Sequence, residues 1–295
     1  MRLFFSDQDR LALPEGHRFP SAKYPRIWQH LAAEHPSLVE HAPRAEWPDI
    51  ALAHDARYVG ALREGTLPVP VVRKLGFPWS ESLVNRSRRS VGGTLAALRW
   101  ALIHGAAGHL AGGTHHAFPD RGEGFCVFND LAVAIHVARR DFAVDRVAVI
   151  DLDVHQGDGT AAMFRHDPAV FTLSLHGARN YPFRKEPGSL DVALPDHTPD
   201  SAYLEALDAA LPAVIAHRPQ LLLYQAGVDP LAGDRLGRLA LTHEGLMARD
   251  ARVYALAEKL RIPIVVTLGG GYHRNIDATV EAHVNVYRGL VSALG

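Results

Sequence analysis

Four short stretches of the sequence concentrate side chains able to bind metal or move protons. The densest is Val147-Ala-Val-Ile-Asp151-Leu-Asp153-Val-His155-Gln-Gly157-Asp158-Gly159, in which an apolar run leads directly into three carboxylates and an imidazole. Alternation along an extended chain places Asp151, Asp153 and His155 on one side of the backbone, with Leu152 and Val154 on the other. Carboxylates crowded at a strand end repel one another and lose hydration, a cost that a divalent cation offsets. Asp and His together form a zinc ligand set. A purely structural cluster, with Asp158 capping the following helix, is the competing explanation, and a metal suits the spread of the group better.

The other three stretches follow the same plan. In Leu110-Ala-Gly112-Gly113-Thr114-His115-His116-Ala117, adjacent histidines on a glycine-hinged loop can converge, and imidazole is suited to proton transfer near neutral pH. A His-His pair alone is weak in a chain with 18 histidines, and its place after an apolar run strengthens it. In Leu222-Leu-Tyr-Gln-Ala-Gly227-Val-Asp229-Pro230, Asp229 either caps a turn or completes a three-ligand metal site that leaves a position open to water. In Val265-Val-Thr-Leu-Gly269-Gly270-Gly271-Tyr272-His273, glycines permit close backbone approach and Tyr272 can aim a hydroxyl at a developing oxyanion. No Lys-Ser/Thr follows, which excludes a P-loop, and the dinucleotide glycine spacing is absent.

The elements that must hold these stretches read as alternating strands and helices. Strands are expected at 3–6, 107–111, 147–150, 170–175, 221–224 and 264–268. Helices are expected at 24–34, 91–105, 129–140 (capped by Asn129 or Asp130), 202–216, 244–260 and 276–289. Apolar strands alternating with amphipathic helices imply an α/β fold: a mostly parallel central sheet, helices on both faces, and one domain over residues 1–295. Ligands in such sheets sit beyond the carboxyl ends of the strands, where all four stretches fall.

Composition narrows the class. A net charge of −1 argues against binding nucleic acid through a global field. Cys126 is the single cysteine, so no intramolecular disulfide forms and a reducing, cytoplasmic setting is expected. No apolar run suits a signal peptide or a membrane span.

In order and chemistry, Gly112–Ala117, Gly124–Asp130, Asp151–Gly159, Ser174–His176, Gly227–Asp234 and Gly269–Tyr272 resemble the histone deacetylase family, within the wider arginase–deacetylase fold. The resemblance spans most of the chain from about residue 90 onward. Glu15-Gly-His-Arg-Phe-Pro20 and the short loops look closer to its bacterial and class IV branch. The resemblance implies a zinc site, or iron in its place, held by Asp153, His155 and Asp229. It implies His116 as general base, His115 as electrostatic partner, Asp151 and Asp158 orienting the two histidines, and Tyr272 on the substrate carbonyl. Phe125 and Tyr181 would wall an acyl-lysine tunnel, with Gly124 and Gly270 as further substrate contacts. Asp151, Asp153, His155, Ser174 and Leu175 match a structural potassium site.

Two departures bear on substrate. The rim carboxylate of class I members has no clear counterpart, the corresponding stretch being the basic Asn85-Arg-Ser-Arg-Arg-Ser90. Tyr181, followed by Pro182, stands where a phenylalanine wall is usual. The expected activity is removal of acetyl or longer acyl groups from lysine in a protein or peptide, with medium and long chains cleaved at least as well as acetyl. Alternatives are a deacylase of small acylated amines such as acetylpolyamines, a silent acyl-lysine-binding module, and, more weakly, a ureohydrolase of the same fold.

Overall fold

A computed structural model describes residues 1–9 and 11–295. The strands are β1 (Leu3–Phe5), β2 (Val39–His41), β3 (Ala106–His109) and β4 (Val147–Asp151). They continue with β5 (Val170–Gly177), β6 (Leu190–Leu194), β7 (Leu221–Gln225) and β8 (Ile264–Thr267). All eight join one sheet in the order β2-β1-β3-β8-β7-β4-β5-β6, and every described pairing is parallel. The helices are α1 (Lys23–Glu34), α2 (Trp47–Ile50), α3 (Ala56–Glu64), α4 (Val69–Leu75) and α5 (Glu81–His104). After them come α6 (Asp130–Phe142), α7 (Asp158–Phe164), α8 (Asp200–His217), α9 (His243–Leu260) and α10 (Ile276–Leu294). The central strands β4, β7 and β8 are wholly buried, as apolar strands covered on both faces must be.

Register brings one row of polar residues across the carboxyl edge of the sheet. His109 pairs with Thr267, Thr267 with Gln225, Gln225 with Asp151, and Asp151 with Ser174. All five are buried. The apolar strands therefore end in step, and the loops that leave them start from a common level.

The sequence-based boundaries of the main strands and later helices agree with the structure to within a few residues. Asn129 caps α6, its side chain accepting from the Ala132 N–H at 2.9 Å. The largest differences lie earlier. Helix α5 begins ten residues before its expected start, with Ser80 accepting from Leu83 N–H at 3.1 Å, and takes in the basic run 85–90. Arg86 pairs with Asp7 at 3.4 Å and covers the rings of Phe19 and Tyr24; Arg89 reaches Asp9 at 2.7 Å and Arg88 bonds the Ala45 carbonyl at 3.0 Å. The stretch read as a basic counterpart of the rim thus binds a helix to the N-terminal segment.

A buried polar network fixes the loop after β3. Asp130, at the start of α6, accepts from the N–H groups of Gly113 (3.0 Å) and Thr114 (2.8 Å) and from the hydroxyls of Thr114 (2.7 Å) and Thr94 (2.5 Å). Thr94 also meets His109 Nδ1 at 2.9 Å, and His109 Nε2 meets Ser6 at 2.9 Å, so β1, β3, α5 and α6 share one network. Replacing Asp130 leaves several buried donors without a partner, each costing about 1–3 kcal/mol. Asp130→Ala should therefore lower the unfolding free energy by about 3 kcal/mol or more, measured by denaturant titration; a loss below about 1 kcal/mol would mean the loop is held by its backbone alone.

Candidate active site and metal centre

Strand β4 stops at Asp151, and the chain then bends instead of continuing extended as the alternation argument required. Asp153 Oδ1 accepts both from the His155 backbone N–H (3.0 Å) and from its ring Nδ1 (2.9 Å), which folds His155 back over the strand end. The loop after β7 delivers Asp229, whose Oδ1 accepts from Val154 N–H at 2.8 Å. Asp229 Oδ2 lies 3.1 Å from His155 Nδ1 but accepts no hydrogen bond, although it is buried. The loop after β8 adds the Gly270 N–H, 2.7 Å from Asp153 Oδ2, which also accepts from Gln225 Nε2 at 3.1 Å. A Cβ on Gly270 would run into Asp229 Oδ2, so only glycine lets this loop pass so near the carboxylates.

Asp153, His155 and Asp229 offer three buried ligand atoms within 4.8 Å of one another. Their electrostatics call for a cation. Burial, reinforced by the charge of Asp153, pushes the Asp229 carboxyl up to about 7. Burial disfavours the imidazolium of His155, yet the carboxylates of Asp229 and Asp153 outweigh it and lift the group to about 10. An Asp-His-Asp trio with an unbonded carboxylate oxygen is what a divalent ion of borderline softness takes.

The two histidines after β3 are held differently. His115 Nδ1 sits 2.7 Å from Asp151 Oδ2 and His116 Nδ1 2.6 Å from Asp158 Oδ1, with ring centroids 4.1 Å apart. Asp158 is the first residue of α7 and also accepts from the Gly159 N–H, so its helix-terminal and histidine-orienting roles coincide. Burial works against charge on His115, but Asp151, Asp153 and Asp158 raise it to about 9. Burial, and then the charge on His115, pull His116 down to about 4. His116 is thus neutral near pH 7; its partner assigns the proton to Nδ1, which leaves Nε2 as the acceptor.

Above the trio opens a cavity of about 410 Å³ whose lining includes His116, His155, Tyr272, Gly124, Phe125 and Tyr181. Gly124 and Phe125 both have left-handed backbone, with φ of 55° and 66°. Their N–H groups bond the Lys74 and Leu75 carbonyls at 3.2 and 2.9 Å, so the end of α4 holds this strained pair. A Cβ on Gly124 would press on His116 at 2.7 Å. Opposite, Tyr181 donates to Glu123 Oε2 at 2.8 Å and meets the His116 ring edge to face at 4.9 Å. The Tyr272 N–H donates to Asp234 Oδ2 at 2.6 Å. Burial and the nearby Asp229 carboxylate keep the Tyr272 phenol protonated, its pKa well above the usual value. Gly270, expected at the substrate, is buried under the carboxylates and does not line the cavity. Ser174 lies beside Asp151 in register, its hydroxyl 3.0 Å from His176 Nδ1, and Leu175 follows it, buried in β5.

Several supporting residues escaped the sequence reading. Arg249, fully buried on α9, donates to the carbonyls of Leu152 (3.2 Å) and Gly227 (2.6 Å), clamping the two loops that carry Asp153 and Asp229. Its signal was present: the Leu246, Arg249, Val253, Leu256 spacing puts a charge on the core face of the helix. Lys23, also buried, donates to the Gly269 carbonyl at 3.3 Å and lies 5.6 Å from the Tyr272 ring centre. Burial lowers it to about 8 while Asp229, Asp153 and Asp234 favour its charge. Nothing in its local sequence marks it.

A family model for the histone deacetylase domain matches residues 17–287. An uncharacterised protein of Picosynechococcus is 41% identical over 94% of this chain and 93% of its own length. Histone deacetylase 2 of Arabidopsis thaliana is 32% identical over 88% of this chain and 70% of its own. Among solved structures, an HDAC homolog complexed with SAHA superposes with a TM-score of 0.85 at 25% identity, covering 99% of this chain and 84% of that one.

If the trio holds metal, the protein loaded with a divalent ion should retain about one ion per chain at this site after exhaustive desalting. Asp229→Ala and the closer Asp229→Asn should both lose it with the circular dichroism spectrum unchanged. Full metal content in Asp229→Ala would remove Asp229 from the ligand set.

Proposed function

Because the chain belongs to the histone deacetylase family, we propose that it is a zinc-dependent hydrolase that removes acyl groups from lysine side chains. The observation that carries this reading is the convergence of His116, His155 and Tyr272 on one cavity directly above the buried Asp153, His155, Asp229 trio. The proposed ligands are those three residues. The chemistry such an ion supplies when bound is Lewis acidity, which polarises the acyl carbonyl and lets water lose a proton near neutral pH. His116 accepts that proton at Nε2, its other nitrogen fixed on Asp158, and returns it to the leaving amine. His115, held charged by Asp151, keeps His116 neutral and adds positive potential where the oxyanion develops. The Tyr272 hydroxyl donates to the same oxyanion. Phe125 and Tyr181 flank the methylene stem of the lysine, and the Gly124 carbonyl accepts the substrate amide N–H. Asp151, Asp153, His155, Ser174 and Leu175 are proposed to hold a structural potassium ion.

Packing favours a short acyl group over the long one suggested by loop length. Behind the Phe125 wall, a separate void bounded by Phe77, Thr114, Val127 and Phe128 measures about 20 Å³, room for one water-sized group and none for an alkyl chain. Phe19, Phe77 and Phe125 pack edge-on and tilted with ring centres 4.9 to 5.5 Å apart, so this aromatic cluster behind Phe125 leaves a fatty chain no open path past that wall. A complete set of proton-transfer groups speaks against a silent binding module, which needs none of them.

Tyr272→Phe removes one hydroxyl and keeps the ring. It should lower kcat by roughly 100-fold with KM little changed, as expected for a group that bonds the transition state; near-native turnover would make Tyr272 a wall residue. On one peptide carrying acetyl, octanoyl or myristoyl lysine, kcat/KM should fall steadily with chain length. A rise toward myristoyl would show that the aromatic cluster opens.

A further inference from the structure

The mouth of the cavity carries a charge pattern that the proposed chemistry does not require. Five cationic side chains line it: Arg18, Lys74, Arg179, Arg235 and Arg238. Among the described residues, no lining side chain is a carboxylate. All five are exposed, although the whole chain has a net charge of −1. The countercharges stand behind them and are shared. Glu123 pairs with Lys74 at 3.2 Å, but it also holds Arg121 at 2.8 Å and the Tyr181 hydroxyl. Asp196 serves both Arg238 at 3.2 Å and Arg179 at 3.8 Å. Arg235 bonds only the Tyr272 carbonyl, at 3.0 Å, and Arg18 has no carboxylate partner among the described residues. Four separate segments of the chain thus bring five positive charges, only partly compensated by two shared carboxylates, to one opening, where a cleft focuses the field.

We propose that this rim selects substrates with carboxylates next to the acylated amine, and that they are the Asp and Glu side chains flanking an acyl-lysine in an acidic stretch of protein. The inference rests on the deacylase reading of the site. Its chemistry excludes the polyamine alternative on electrostatic grounds, because a polycationic chain would have to lie among five cations. Phe183, 87% exposed on the same rim, offers a flat apolar face on which a peptide can rest between the charges.

The test uses the metal-loaded full chain and acetyl-lysine peptides matched except for flanks of Asp/Glu, Gln or Lys, with free Nε-acetyl-lysine and an acetylpolyamine as small-molecule arms. Both kcat/KM and direct binding by fluorescence anisotropy are read. Acidic flanks should raise kcat/KM over basic flanks by roughly 10-fold or more at low salt, mainly through KM, with the gap shrinking as salt rises. The acetylpolyamine should be the poorest substrate. Arg18→Glu combined with Arg238→Glu should narrow or reverse the peptide order, and the milder Arg18→Gln/Arg238→Gln pair should narrow it if charge reversal disturbs folding. Equal binding and turnover across the three flanks would overturn the inference. So would a preference confined to free Nε-acetyl-lysine, which would identify a small carboxylate as the recognised group. Tighter binding of acidic peptides with no turnover of any of them would strike down the deacylase reading and leave the rim's selectivity standing.

Discussion

Crowding of buried carboxylates at the carboxyl edge of the sheet is the constraint from which the rest of the site follows. Asp151, Asp153, Asp158 and Asp229 are all under 4% exposed, and four negative charges so placed could not persist on their own. The fold answers each one. Asp151 and Asp158 take a histidine apiece; Asp153 takes the Gly270 amide, the Gln225 amide and His155; Asp229 takes the Val154 amide and keeps one oxygen unbonded. Lys23 and Arg249 stand just behind as buried cations, Arg249 bonded to carbonyls of the loops that carry Asp153 and Asp229, and Lys23 to the Gly269 carbonyl of the loop that brings Gly270 to Asp153. A divalent ion held by the trio would complete this balance, which ties metal affinity to the same electrostatic requirement that sets the loop geometry.

The same requirement separates two adjacent histidines that would otherwise behave alike. Their rings are 4.1 Å apart and each has an aspartate on Nδ1, yet His115 is raised to about 9 and His116 lowered to about 4. His115 faces Asp151 with Asp153 nearby and takes the charge; His116 must then avoid a second charge beside it and stays neutral. His115 carries a fixed positive charge, and neutral His116 keeps one ring nitrogen free to accept a proton. Two titratable groups driven apart by environment is the pattern that acid–base chemistry at neutral pH needs.

Much of this was legible in the sequence because the chemistry is attached to its strongest secondary-structure signal. Wholly buried strands that are apolar up to their last residues, such as Val147–Asp151 and Leu221–Gln225, are hard to misread, and the unusual polar residues begin at their ends. The residues around them were harder to find. Strand β6 alternates half-exposed and exposed positions from Leu190 to Ala193 before a buried Leu194, a pattern typical of an edge, and it fell below notice. Helix α4, whose final carbonyls fix Gly124 and Phe125, is seven residues long with proline inside its first turn. The expected start of helix α5 lies at residue 91 because its arginine run reads as solvent-facing until Asp7 and Asp9 are seen to receive Arg86 and Arg89. In each case the missing information was a partner distant in the chain.

That distinction between near and distant information also divides the floor of the cavity from its rim. Floor residues sit on or directly after strands of one sheet, and the register row His109, Thr267, Gln225, Asp151, Ser174 sets their heights together. Displacing one of them disturbs neighbours on both sides, so the floor changes only as a unit. Rim residues come from the segments around positions 18, 74, 179 and 235–238, joined to the floor through a few bonds such as Tyr181 to Glu123 and Arg235 to the Tyr272 carbonyl. Their exposed charges can be replaced one at a time at a cost near that of any surface substitution. In the proposed function, such an arrangement would let the chemistry of the floor stay constant while charges that never touch the reacting atoms tune the choice of substrate. Under the proposed function, the excess of positive charge at this mouth bears on the choice of substrate separately from what the floor implies about the reaction.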